Sequence, residues 1–215
     1  MSHDLKKKYY ECLAKNILEK YLIAQLGELM LGDRPDLSSA LGIGIEVTRA
    51  VFDGFDEKSN YFNKYLKMKK KSDVEQQKID NFIKDGTQII YYNDKISGYC
   101  PPARWYNIDE LKAIYRKKIQ KLCSYSCFKA VHLFIFSPTF DDYEKNDIEK
   151  FMEWISTSMN NEKNYDVIYI YQETALFICN VVDNSIREIV LEKTAIHECC
   201  DSAKKYAETI EEVTS

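Results

Sequence analysis

Near the start of the chain Leu13, Ile17, Tyr21, Ala24 and Leu31 recur at three- and four-residue steps, with Glu28 on the same face. That period lines side chains along one side of a helix and predicts a helix over residues 5–31. Gly32-Asp33-Arg34-Pro35 would end it, since glycine and proline both interrupt helices. Two short extended pieces follow, 36–40 and 43–48. In the second, Ile43, Ile45 and Val47 alternate with Gly44, Glu46 and Thr48, so one face is apolar and Glu46 lies on the other. Residues 57–84 are lysine-rich and are expected to be helical. Thr87–Tyr92 and Lys95–Tyr99 flank Asn93-Asp94 as a hairpin, and Cys100-Pro101-Pro102 breaks the pattern. A helix is expected over 108–125, a buried strand over Ala130–Phe136 and an acidic amphipathic helix over 141–159. A three-stranded meander follows at 167–171, 175–182 and 186–191, then a closing helix from about His197 to Glu212.

This order predicts an α/β fold of the mixed α+β kind, with a central mixed sheet flanked by helices. At 215 residues, the chain suits one large domain or two small ones. The expected division is a core over 1–137 and a C-terminal extension over 138–215, packed on the same sheet.

Composition narrows the field. Thirty basic residues against 34 acidic ones leave a net charge of −4, which excludes a histone-like protein whose whole surface grips nucleic acid. The balance hides local bias. Residues 57–84 carry a net +4, including Lys67, Lys69, Lys70 and Lys71, whereas 139–164 carry −4 and would suit a protein partner. Seven cysteines, an odd number without a CxxC pair, argue for reduced thiols and a cytoplasmic setting rather than a disulfide framework. No apolar run reaches membrane-spanning length, and the basic N-terminus lacks the apolar segment of a secretory signal.

No phosphate-binding glycine loop, nucleophile elbow or H-E-x-x-H helix is present. His132, inside an apolar strand, reads as a core residue, and His197 with Cys199 and Cys200 lacks a second ligand pair. What remains is a set of carboxylates: Glu28, then Asp36 directly after Pro35, then Glu46 in the alternating strand. Pro-Asp alone is a common turn dipeptide; the combination is more specific.

In Pro35-Asp36, in Gly44-Ile45-Glu46-Val47-Thr48 and in the helical Glu28, the chain resembles the PD-(D/E)XK superfamily of restriction-endonuclease-like proteins. The resemblance covers about residues 28–48, with looser support from 108–136. It departs from the pattern at Thr48, where the motif has lysine. Some members carry that lysine on a neighbouring helix, and the 108–125 helix offers a substitute. Leu111, Ile114, Tyr115, Leu122 and Tyr125 form its apolar stripe, with Lys118 at the centre and Lys121 at the edge. A lysine so placed is costly unless its ammonium meets a carboxylate or a phosphate. Tyr125, four after Lys121, is similar to the Q-x-x-x-Y helix of some relatives, without the glutamine.

The resemblance implies a restriction-endonuclease-like core and a nuclease acting on phosphodiester bonds, of DNA by family analogy, in bacterial or phage defence, repair or mobile-element biology. It implies Asp36 and Glu46 as ligands of Mg²⁺ or Mn²⁺, Glu28 as an auxiliary ligand, and Lys118, or Lys121, as the catalytic cation. Hard carboxylate oxygens suit such an ion, and a compact ammonium can stabilise charge on phosphate. Lys67, Lys69, Lys70, Lys71, Arg116 and Lys117 would bind backbone phosphates, and a homodimer would suit cutting of two strands. The competing expectation is a nuclease-like fold without activity that binds nucleic acid or protein. The two separate on geometry: the migrated-lysine reading needs an ammonium within about 4 Å of the carboxylates.

Overall fold

The computed structural model describes residues 3–50, 55–100, 108–125, 127–137, 142–158 and 163–214. Pro101 and Pro102 of the expected break lie outside these, as do 139–141 and 159–162 of the acidic segment. The chain divides into two compact units, one of residues 1–50, 111–138 and 142–215, the other of 51–110 and 139–141.

The first unit is built on a seven-stranded mixed sheet flanked by helices, an arrangement consistent with a restriction-endonuclease-like α/β core. Helix α1 (His3–Leu26) leads into β1 (Leu29–Leu31), β2 (Leu37–Ser39) and β3 (Ile43–Arg49). The expected helix over 5–31 is therefore too long. Gly27 takes φ +69° and donates its N–H to the Ile23 carbonyl at 2.8 Å, the left-handed ending that glycine adopts without a Cβ penalty. The residues beyond it pair as an edge strand, Leu29 opposite Ser39, and the Leu29 N–H is held by Glu19 Oε1 at 2.7 Å.

β1, β2 and β3 are antiparallel. β3 then pairs in parallel with β6 (Ala130–Phe136), and β6 in parallel with β7 (Val167–Tyr171). The meander continues antiparallel through β8 (Ala175–Asn180) and β9 (Ser185–Val190). The strand order is thus β1-β2-β3-β6-β7-β8-β9, and the strands of the C-terminal segment extend the sheet begun by β1–β3. The central β6 is buried from Val131 to Phe136, as expected of a parallel strand covered on both faces.

Alternation sorts the strand residues. Ile45, Val47, Phe134, Phe136, Tyr169 and Tyr171 join Leu13, Ile17 and Leu18 of α1, with Ile196 and Ala203 of α6 (Lys193–Thr214), in one core cluster. His132 belongs to this face, its Nδ1 3.0 Å from the Tyr169 hydroxyl; burial lowers its pKa to about 4, so it stays neutral. Glu46 and Leu133, partners across the β3–β6 ladder, point the opposite way. On that side lie α4 (Asp109–Ile119) and α5 (Lys145–Ser158), joined through the edge-on Tyr115 and Phe151 rings.

Gly44 marks a tight passage in β3. A Cβ there would sit 2.8 Å from Pro35 Cγ and 3.0 Å from Phe128 Cγ, so the strand passes against the very residue that positions Asp36. Gly44→Ala is expected to destabilise the fold by about 1–3 kcal/mol through overpacking, read by denaturant unfolding. A neutral outcome would mean that Pro35 and Phe128 give way freely.

The second unit is inserted in the chain between β3 and β6. The continuous lysine-rich helix expected over 57–84 is instead broken into α2 (Phe55–Tyr61), a π-helical turn over Phe62–Leu66, a 3₁₀ turn over Lys71–Asp73 and α3 (Gln76–Ile83). Met68 at φ +61° makes a continuous helix impossible. The hairpin β4 (Gln88–Tyr92) and β5 (Lys95–Cys100) turns at Asn93-Asp94, both with positive φ, as a type I′ turn requires. Phe62, Leu66, Val74, Ile79, Phe82 and Ile96 form this unit's own small core.

Candidate functional site

Asp36 directly precedes β2, and continuing the Leu37–Ile45 register would set it opposite Glu46, whose charge acts on it. Asp36 Oδ2 accepts the Val47 N–H at 2.8 Å, which fixes the carboxylate against the strand. Both carboxylates are buried, at 3% and 4% exposure.

Glu46 is held from the α4 side. Lys118 Nζ lies 2.6 Å from Glu46 Oε1, and Lys121 Nζ, on a far more exposed side chain, is 3.7 Å from the same oxygen. The Tyr125 hydroxyl donates to Oε2 at 2.5 Å. Tyr125 can reach because α4 ends at Ile119 and the chain tightens into a 3₁₀ turn over Leu122–Tyr125. Lys118 itself is steadied through its backbone, whose carbonyl accepts from the Tyr165 hydroxyl at 3.0 Å. Burial raises the Glu46 pKa, but the Lys118 charge and hydrogen bond, the Tyr125 hydrogen bond and the Lys121 charge outweigh it and hold the carboxyl below its ordinary value. Tyr125 is pushed the other way by burial and by Glu46, so it remains a protonated donor.

Asp36 has the reverse balance. Burial comes first, and the negative charges of Glu46 and Glu11 add to it. The Val47 hydrogen bond and Lys7 oppose them, yet the pKa is pushed up to about 6. Glu11 is a third carboxylate, on α1, and only 1% exposed. It pairs with Lys7 at 3.2 Å and Lys8 at 2.8 Å, while Lys7 also stands 3.5 Å from Asp36 Oδ1. The Lys7 ammonium is the partner of the buried Glu11 Oε1, and that of Lys8 is the partner of Oε2.

Glu28, expected as the helical glutamate, is exposed in the bend between α1 and β1 and belongs to none of these contacts. Glu11 occupies a buried helical position near Asp36 instead. Its signal was present in the sequence: Glu11 precedes Ala14, Leu18 and Leu22 on one helical line, and all three are buried. Arg116 and Lys117 are exposed on α4, and the Arg116 guanidinium lies 4.8 Å over the Trp154 ring. Lys67, Lys69, Lys70 and Lys71 are exposed in the second unit.

Beside the carboxylates a cleft of about 200 Å³ opens at the end of β3, lined by Lys6, Lys7, Arg49 and Lys118 with Glu11, Tyr10 and Thr48. Four cations against one carboxylate favour an anionic occupant. Among the described residues no three His, Cys, Asp or Glu side chains form a ready metal cluster, and none of the described helices is long and apolar enough to cross a membrane. Compared with protein families, with curated proteins and with solved structures, the chain matches none.

Proposed function

We propose that the chain is a metal-dependent nuclease of the PD-(D/E)XK type whose motif lysine has moved from the strand to α4. The observation that carries this reading is the Lys118 ammonium 2.6 Å from Glu46, on a carboxylate that shares its buried site with Asp36. Thr48 lines the adjoining cleft, and so does Lys118. The lysine missing from the strand therefore has a counterpart facing the same space.

The carboxylates fit a hydrated Mg²⁺ or Mn²⁺. Asp36 is raised by burial and by its like-charged neighbours Glu46 and Glu11, a condition that a divalent cation relieves. Mg²⁺ retains most of its waters and needs only one or two carboxylates, so Asp36 and Glu46 suffice, with Glu11 as the auxiliary in place of Glu28. When bound, such an ion lowers the pKa of water and offsets charge on phosphate. Lys118 then neutralises charge on the scissile phosphate, Tyr125 holds Glu46 in place, and Lys7, Lys6 and Arg49 bind flanking phosphates. Hydrolysis joins a water oxygen to phosphorus, breaks one P–O ester bond and delivers a proton to the departing oxygen.

The test is incubation of the purified protein with single- and double-stranded DNA and RNA, in Mg²⁺, Mn²⁺ or EDTA. Cleavage that requires the metal and disappears in Asp36→Ala and Glu46→Ala is the expected result. Cleavage surviving both substitutions would show that the site is misassigned.

A second reading is favoured by one observation: both Glu46 oxygens already have partners in Lys118 and Tyr125. On it, the carboxylates and lysines form a structural ion-pair network inside an inactive nuclease-like fold, and the chain binds nucleic acid without cutting it.

A further inference from the structure

The second unit presents a surface with different chemistry. Its lysine run is laid along the hairpin by backbone hydrogen bonds: Met68 N–H to the Ile96 carbonyl at 2.7 Å, Ile96 N–H to the Lys69 carbonyl at 2.8 Å, and Lys71 N–H to the Asp94 carbonyl at 3.3 Å. Lys70 bridges Lys95 in the same antiparallel sense. The lysines are thus held as an extra edge beside β5, fixed in position relative to the hairpin tip. Between them opens a cleft of about 460 Å³ lined by Lys70, Lys71, Ser72, Tyr91 and Asp94. Lys71 Nζ stands 5.9 Å from the centroid of the Tyr91 ring. Tyr91 is 43% exposed and its neighbour Tyr92 71%, and strand alternation turns the two rings to opposite sides of the tip.

Lysines alone attract any polyanion. Exposed aromatic rings among them are selective, because a base can stack on a tyrosine only when its face is open. Duplex bases are stacked on one another, whereas those of a single strand are free to stack elsewhere, and stacking of this kind is tolerant of sequence. We propose that this surface binds single-stranded polynucleotide, with Tyr91 stacking on a base in the cleft, Tyr92 meeting a neighbouring base at the tip, and Lys70, Lys71 and Lys95 holding backbone phosphates. The proposal rests on the reading that the chain acts on nucleic acid and gives that substrate its strandedness.

The test uses the full chain in EDTA, so that neither metal nor cleavage enters. Fluorescence anisotropy follows binding of labelled oligothymidylate and oligouridylate of about 16 nucleotides, within the usual site size for one small binding module, and of a duplex of the same length. Single strands are expected to bind about tenfold more tightly than duplex, and the two oligomers tell DNA from RNA. Tyr91→Ala should weaken binding about tenfold, with Tyr91→Phe close to wild type. Lys70→Gln with Lys71→Gln should weaken it and flatten the logarithmic salt dependence by about 0.7 for each phosphate no longer engaged. Tyr91, Lys70 and Lys71 are all exposed, so the fold tolerates these changes; circular dichroism checks this. Equal affinity for duplex and single strand with Tyr91→Ala silent would overturn the proposal, as would no binding at low salt. Binding that follows Tyr91 without any cleavage sinks only the nuclease reading. Metal-dependent cleavage with binding indifferent to Tyr91 sinks only this inference.

Discussion

Lys118→Met is expected to cost about 3 kcal/mol of stability and, on the nuclease activity proposed above, to abolish phosphodiester cleavage. The physical reason is that Glu46 keeps a buried negative charge when its 2.6 Å partner is removed, and stranding one member of a buried ion pair typically costs about 3–5 kcal/mol. The lower end applies because Lys121, at 3.7 Å, and the Tyr125 hydroxyl remain. For a unit of this size the loss corresponds to about 6–12 °C in Tm. The double variant Glu46→Gln/Lys118→Met separates the two roles. It removes both charges, leaves an amide that still accepts from Tyr125, and should recover most of the stability without recovering cleavage. A thermal and denaturant series on wild type, both single variants and the double variant checks this as a cycle. A stability change below about 0.5 kcal/mol in Lys118→Met would mean that the lysine simply reaches into water and that Glu46 does not depend on it.

That pair is legible in the sequence from one local conflict, a lysine centred in an apolar stripe, set against an acidic residue on the polar face of an alternating strand. Both halves follow from periodicity. Their meeting depends on the parallel pairing of β3 with β6, which no local pattern announces, and on α4 covering the Glu46 face. Strands with plain alternation or continuous apolar character, β3 and β6 through β9, are readable almost to their ends because burial imposes the pattern. Local pattern fails where a backbone angle overrides propensity. Gly27, a single left-handed residue, ends α1 and turns Leu29–Leu31 from a last helical turn into an edge strand. The same residue takes Glu28 off the helix and into the bend. Met68 similarly breaks a segment whose lysine content suits helix. The insertion of a whole second unit between β3 and β6 leaves no compositional border at Ala50, so the sequence there reads as one continuous core. Glu11 belongs to no motif spacing; its placement is set by the three apolar residues that follow it along α1.

The two central carboxylates respond to pH with opposite sign, and Asp36→Asn tests this most sharply. Glu46, held below its ordinary pKa, contributes stability that is present at neutral pH and lost as pH falls through its folded value. Asp36 is raised from 3.8 to about 6, first by burial and then by the charges of Glu46 and Glu11. Its protonated form is favoured by folding, so its contribution is full below about 3.8 and declines as pH rises through about 6. Above that window an ionised Asp36 is a cost to the fold on the order of 2 kcal/mol. Asparagine removes the charge while its carbonyl still accepts the Val47 N–H. In EDTA at a pH of about 8, two units above the raised pKa, the variant should therefore melt about 4–8 °C above wild type. The gap should shrink steadily below about pH 6, and near about pH 4 the two should coincide. Mg²⁺ or Mn²⁺ should raise the wild-type Tm by mass action and leave the variant unmoved, and the variant should not cleave. A protein made more stable by losing a buried carboxylate is what a strained ligand site predicts. If the variant is instead less stable at every pH, Asp36 serves the fold through its pairing with Lys7, and the ion-pair-network reading gains what the metal reading loses.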